Sequence, residues 1–183
     1  MAEVFFQPSV ETLEVPTEGS QIQLLYEFDP ELQQRGIAGQ ININIFFNDT
    51  EIDLEPTDIS VAAEGASIPS PFPLGLPDGG GDDFDQTNAG IAVAIADIPV
   101  PEEQQPLLTI PINPTDQFNS SIINLTTGNP STGIDTLTFI EGQSSVELVP
   151  VEANAVEFSI EPIVGSEEEG TSFTLTATAS QAV

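Results

Sequence analysis

Histidine, cysteine, lysine and tryptophan are all absent from this chain, and its single basic side chain is Arg35. Each absence removes a chemistry. Without histidine or cysteine there is no Ser-His-Asp or Cys-His nucleophile, no Cys/His zinc site and no disulfide. Without lysine there is no Schiff base and no P-loop lysine. Oxygen is the only abundant ligand type left, and it suits calcium best. Thirty acidic residues against one basic residue give a net charge of −29, although charged residues make up only 17% of the chain. The imbalance therefore comes from missing cations rather than from surplus acid. Such a chain repels itself at low ionic strength and is relieved by salt or divalent cations. It has nothing with which to neutralise phosphates, which excludes nucleic acid and disfavours an anionic membrane surface. No apolar run is long enough for direct membrane insertion, and the start "MAEVFFQPSVE" lacks a basic signal region.

What is present alternates. In "GQININIFFND", Ile41, Ile43, Ile45 and Phe47 share one face and Gln40, Asn42 and Asn44 the other. In "SQIQLLYEFD", Ile22, Leu24, Tyr26 and Phe28 are in phase, and Asp29-Pro30 ends the run. "GIAVAIAD" alternates Ile91, Val93 and Ile95 with alanines small enough to pack closely under a covering element. "PLLTIPIN" has Leu108, Ile110 and Ile112 in phase, while Pro111 lacks an N–H and predicts an edge strand or a bulge. "SSIINLTT", "DTLTFI" and "SVELVP" follow as further strands. With 16 prolines and 14 glycines between them, the one helical expectation is a single turn over Pro30 to Gly36. About nine short strands separated by turn signals predict an all-β fold, an antiparallel β-sandwich.

The two ends of the chain echo each other. "VFFQPSVETLEVPTEGSQIQLLYEFD" and "VEFSIEPIVGSEEEGTSFTLTATAS" both run strand, acidic turn, Glu-Gly-Ser/Thr, alternating strand. A strand pair of the second copy's size cannot bury its own face. Residues 1–153 are therefore expected to form one sandwich and 154–183 the opening strands of a second β-module, the alternative being extra edge strands of the first. This favours an excised module with an added start over an unexported soluble protein, and makes neighbouring modules of the same polypeptide its expected partners. The glutamates at 167–169 read as a solvated turn, with a cation bridge between modules as the sharper alternative.

The order of elements resembles a known family. "PSVETLEVPTEGSQIQLLYEFD" is similar to the opening of cohesin domains. "GIAGQININIFFNDTEIDLEPTDI" resembles the strand pair that follows there. "QPLLTIPINPTDQFNSSIINLTTGNPSTGIDTLTFIEGQSSVEL" resembles the closing half of such domains in bacterial surface proteins. The resemblance spans about Val4 to Pro150 and implies a jelly-roll sandwich of about nine strands in a secreted or cell-surface protein. "SEEEGTSFTLTATAS" is similar to the start of a Calx-β or immunoglobulin-like repeat.

"LPDGGGDDFDQTNAG" puts Asp78, Asp82, Asp83 and Asp85 among three consecutive glycines. One copy cannot make a calcium β-roll, whose ions are shared between successive turns. It lacks the glutamate and flanking helices of an EF-hand. Two readings stand. In one, the four aspartates form an irregular calcium site, completed by Asn88 or Asp97; in the other, the loop is solvated and Phe84 plugs the sandwich. Asn48, Asn119 and Asn124 fit the glycosylation pattern but read more simply as turn and strand asparagines. A glycosidase built on a carboxylate pair is the minor alternative, weakened by the lack of aromatic sugar platforms, since Tyr26 falls on the core phase. Salt adaptation ranks lower, because halophilic chains keep arginine and raise total charge. The expected function is a non-catalytic structural or adhesion module, with a carbohydrate- or dockerin-type recognition domain as the alternative.

Overall fold

In a computed structural model, residues 2–36, 40–69, 71–74, 87–128, 136–140, 143–151, 156–161 and 174–179 are described. Contacts divide the chain into two units, Met1–Pro150 and Val151–Val183.

The first unit is built from two sheets. The first sheet runs β11 (Thr136–Phe139), β1 (Glu3–Pro8), β3 (Ser20–Phe28), β9 (Gln105–Pro114) and β5 (Ile52–Asp53), with β6 (Ser60–Val61) also on β9. The second runs β2 (Thr12–Val15), β12 (Ser145–Pro150), β10 (Ser121–Thr127), β4 (Gln40–Phe47), β8 (Ala89–Ala96) and β7 (Phe72–Leu74). The pairings are antiparallel except β1 with β11 and β12 with β2, which are parallel. Both parallel pairs have one cause. The N-terminal run crosses from the first sheet to the second between Pro8 and Thr12, and the run from Thr136 to Pro150 does the same. Each run therefore counts as two strands, which is one reason the described residues hold more strands than the nine expected.

The core follows the period-two pattern. Ile22, Leu24, Tyr26 and Phe28 of β3, Ile41, Ile43, Ile45 and Phe47 of β4, and Ile91, Val93 and Ile95 of β8 all sit in one buried cluster with Leu108, Ile110 and Ile112 of β9. Each such aliphatic side chain contributes about 1.5–3 kcal/mol by leaving water. Proline costs β9 little. Pro111 faces Gln21 of β3, and its other side falls in the gap between the β6 pairing at Leu108–Thr109 and the β5 pairing at Asn113–Pro114. The expected bulge lies beside the first of the strand's three prolines: register shifts between Leu24 and Leu25, leaving Leu107 as the extra residue after Pro106.

The predicted helical turn is α1 (Pro30–Arg35). Asp29 caps it by accepting the Leu32 N–H at 2.8 Å, and its second carboxylate oxygen accepts the Glu3 N–H at 2.7 Å. One side chain thus ties the helix start to β1. Before β3 the turn needs glycine: Gly19 has φ +94°, and a Cβ there would stand 2.9 Å from the Ile112 carbonyl oxygen.

The second unit contains β13 (Val156–Glu161) and β14 (Thr174–Ala179), paired antiparallel from Val156 opposite Ala179 to Glu161 opposite Thr174. β13 pairs with β14 as β1 pairs with β3. The Glu167-Glu168-Glu169 run and the second Glu-Gly-Thr turn lie outside the described residues.

Candidate functional site

Asp78, Asp82, Asp83 and Asp85 also lie outside the described residues, so of the aspartate-loop set only Asn88 and Asp97 can be followed here. Asn88 sits just before β8, where its N–H donates to the Phe47 carbonyl at 2.9 Å. Its side chain is engaged on both sides. Nδ2 donates to Asp49 Oδ1 at 2.7 Å, and Oδ1 accepts the Asp49 N–H at 2.8 Å. Asp97 is at the far end of β8, in the left-handed region at φ 54°, and its Oδ2 accepts from Ser67 Oγ at 3.2 Å. β8 thus holds the two residues at opposite ends. A shallow cleft of about 360 Å³ at the start of β8 has Asp49, Asp53 and Glu55 among mostly apolar lining residues that include Phe47, Leu54 and Ala89. Among the described residues no group of three acidic side chains is arranged to hold a metal ion.

Tyr26 is a core residue with a polar tip, as its phase in β3 requires. Its hydroxyl donates to the Pro99 carbonyl at 2.9 Å and accepts from Gln105 Nε2 at 2.8 Å. Burial pushes its pKa above 10.0, against the smaller lowering effect of the Gln105 hydrogen bond.

The most distinctive surface lies on the outer side of the second sheet. Because Ile41, Ile43 and Ile45 point to the core, the alternate residues Gln40, Asn42, Asn44 and Phe46 point away from it. Register then places Ala96, Ala94, Ala92 and Gly90 of β8 beside them on one flank, with Thr126 and Asn124 of β10 beside Asn44 and Phe46 on the other. Asn44 Nδ2 donates to Thr126 Oγ1 at 3.1 Å across this pair. Phe72 of β7 stands opposite Ala92 and is 49% exposed. Phe46 and Ala92 share this side yet are 4% and 6% exposed, so one end of the face is covered. The open part runs over Asn42, Asn44, Ala94, Ala96, Asn124 and Thr126.

No charged residue stands on the outward positions of β4, β7, β8 or β10. The first sheet carries Glu3, Glu27 and Asp53 on its outer side, with Glu27 opposite Phe5 next to the end of β3, and the second carries outward acids only on its β2–β12 edge. In a chain of net charge −29, solvation alone gives no reason to keep four adjacent strands, β10, β4, β8 and β7, free of outward charge. The face offers amide and hydroxyl hydrogen-bonding groups next to small side chains that permit close approach. The signal for it was present in the Gln-Asn-Asn and Ala-Ala-Ala alternation. Sequence alone assigned those alanines to packing under a cover; Ala92 is buried, whereas Ala94 and Ala96 are only half-buried.

No family model matches this chain, and no curated protein matches it. Solved structures to which it is similar include cohesin modules and a Calx CBD1 domain. The seventh ScaB type I cohesin from Pseudobacteroides cellulosolvens is 10% identical, with 85% of this chain and 96% of that one covered at a TM-score of 0.49. The sixth cohesin of scaffoldin B from Acetivibrio cellulolyticus, solved with a Cel5 dockerin, is 6% identical over 81% and 98%, with a TM-score of 0.42. The non-cellulosomal cohesin from Archaeoglobus fulgidus is 14% identical over 82% and 93%, again at 0.42. The two-sheet sandwich itself rests on the strand pairings above.

Proposed function

We infer that the first unit is a non-catalytic recognition module whose outer β10–β4–β8 face docks a protein partner. The observation carrying this reading is the uncharged face in a chain of net charge −29. Burying carboxylates at an interface is costly, so a surface intended for contact is the one to keep free of them. Phe72, the most exposed large apolar side chain among the described residues, borders that face and supplies the aromatic anchor that such interfaces use. A sugar-binding face fits less well, because no tryptophan exists and the only tyrosine is buried in the core. An exported, multi-domain setting, with the residues after Pro150 opening another module, belongs to the same reading.

Dockerin modules are the first probes to use, alongside a glycan panel, because a dockerin is present with one of the similar structures. Immobilised chain is expected to bind protein probes in preference to glycans. Asn44→Arg, which sets a long charged side chain in the middle of the face, is expected to weaken that binding at least about 100-fold. Glycan binding that survives Asn44→Arg, with no protein probe bound, would overturn the reading.

A further inference from the structure

The neutral face has an acidic border. Glu147 of β12 lies outward beside Ile122 of β10, and Glu14 of β2 lies outward beside Val149 of β12, which marks one edge. Asp49 follows the end of β4, and Asp97 follows the end of β8, which runs antiparallel to it. All four carboxylates are exposed. Two of them are also held in place: Asn88 Nδ2 donates to Asp49 Oδ1 at 2.7 Å, and Ser67 Oγ donates to Asp97 Oδ2 at 3.2 Å. A charge already fixed loses less side-chain entropy when a partner pairs with it.

Resting on the docking reading above, we propose that the partner is a basic-rimmed protein. It has an uncharged contact centre and lysine or arginine side chains around it, set against Glu14, Glu147, Asp49 and Asp97. The argument is charge complementarity. A second copy of this chain would bring a net charge of −29 against −29, with the same border acids and one arginine in all. A nucleic acid or an anionic membrane is repelled for the same reason. A partner with neutral edges would dock without using the border. Cations at its rim use it fully, and at a solvated rim they act mainly on the rate of encounter, with little effect on the rate of release.

Probes come from a displayed library on a neutral three-helix scaffold, selected against the full chain at about 0.15 M salt. Face-directed binders are those that lose binding to both Ala94→Arg and Asn124→Arg, so a folding defect in one variant does not decide the matter. These binders are expected to carry more basic than acidic residues. The set Glu14→Gln, Glu147→Gln, Asp49→Asn and Asp97→Asn is expected to slow their association about tenfold and leave dissociation nearly unchanged. The control set Glu3→Gln, Glu18→Gln, Glu27→Gln and Glu102→Gln removes as many charges and is expected to slow association less than about twofold. Equal slowing by both sets means that only net charge matters; the border proposal then falls and the docking face stands. Binders indifferent to both arginine variants remove the docking face itself. Sedimentation of the chain alone as a dimer that Ala94→Arg dissociates gives the face to a second copy and also overturns the proposal.

Discussion

Asp49 and Asn88 hold each other by a reciprocal pair of hydrogen bonds, 2.7 Å from the Asn88 amide to the Asp49 carboxylate and 2.8 Å from the Asp49 N–H to the Asn88 carbonyl oxygen. The pair clamps the turn after β4 to the start of β8. Asn88→Ala is expected to cost about 1–2 kcal/mol in denaturant unfolding, through both bonds. The same clamp bears on calcium, because Asn88 could ligate an ion only by sharing an oxygen already in use. Calcium held by Asp78, Asp82, Asp83 and Asp85 is expected to bind with an affinity of about 10⁻⁴–10⁻³ M and to raise stability by about 1–3 kcal/mol at saturation. The check is melting in calcium against chelator at matched ionic strength. A rise lost in Asp83→Asn and kept in Asn88→Ala assigns the ion to the aspartate loop without Asn88. Identical curves for the wild type remove the site.

Tyr26 is the only tyrosine and there is no tryptophan, so ultraviolet absorbance of tyrosinate reports this one side chain. Its pKa is raised in the folded state, chiefly by burial. The sign follows: the neutral hydroxyl's stabilisation is fully present below the unfolded value near 10.0 and is lost as pH rises through the higher folded value. Tyrosinate absorbance is therefore expected to appear late and to rise together with loss of the β-sheet spectrum. Ordinary titration near 10 with the fold intact would contradict the buried, doubly bonded hydroxyl. Tyr26→Phe leaves the Pro99 carbonyl and the Gln105 amide without this partner and is expected to cost about 1–2 kcal/mol.

Asp29 titrates in the opposite sense. Its modest burial opposes ionisation, but backbone N–H groups of Leu32, Glu3 and Glu31 outweigh it and hold the carboxyl below its ordinary 3.8. Its contribution is accordingly present above pH 3.8 and fades as pH falls through the lower folded value. Protonation of the other carboxylates relieves repulsion over the same range, so the useful quantity is a difference. Urea unfolding of wild type and Asp29→Asn from about pH 6 to about pH 2.5 is expected to give a gap that closes at the acid end. A gap independent of pH would mean that the cap acts without its charge. Asp29→Ala, which removes the cap altogether, is expected to cost about 1–2 kcal/mol near neutrality.

Ser121 begins β10 on the inward phase, in register with Leu148, and is 4% exposed. Its hydroxyl is the buried side-chain polar atom among the described residues that finds no hydrogen-bond partner. Ser121→Ala is expected to leave stability unchanged or raise it by up to about 1 kcal/mol, since nothing is lost with the oxygen. A loss above about 1 kcal/mol would show that the hydroxyl is bonded in solution, for instance through a water.

Alternation was enough to place most of the core, because a strand's two faces follow from a period of two, but it did not foresee Leu107, buried by the bulge in β9, or Phe46 and Ala92, buried on the outer side. Ile41, Ile43 and Ile45 could not all be solvated, so the neutral Asn42 and Asn44 had to face outward. The helical turn was legible for an equally local reason, Asp29 before Pro30 with Gly36 after it. Strand order was not legible, since register and neighbours depend on contacts between residues far apart in the chain. Only the folded chain brought Glu14 and Glu147 to one edge, set Asp49 and Asp97 at opposite ends, and left an uncharged sheet face between them. The same distance separates Asn88 from Asp49: thirty-nine positions apart, they pair only because β4 and β8 lie side by side.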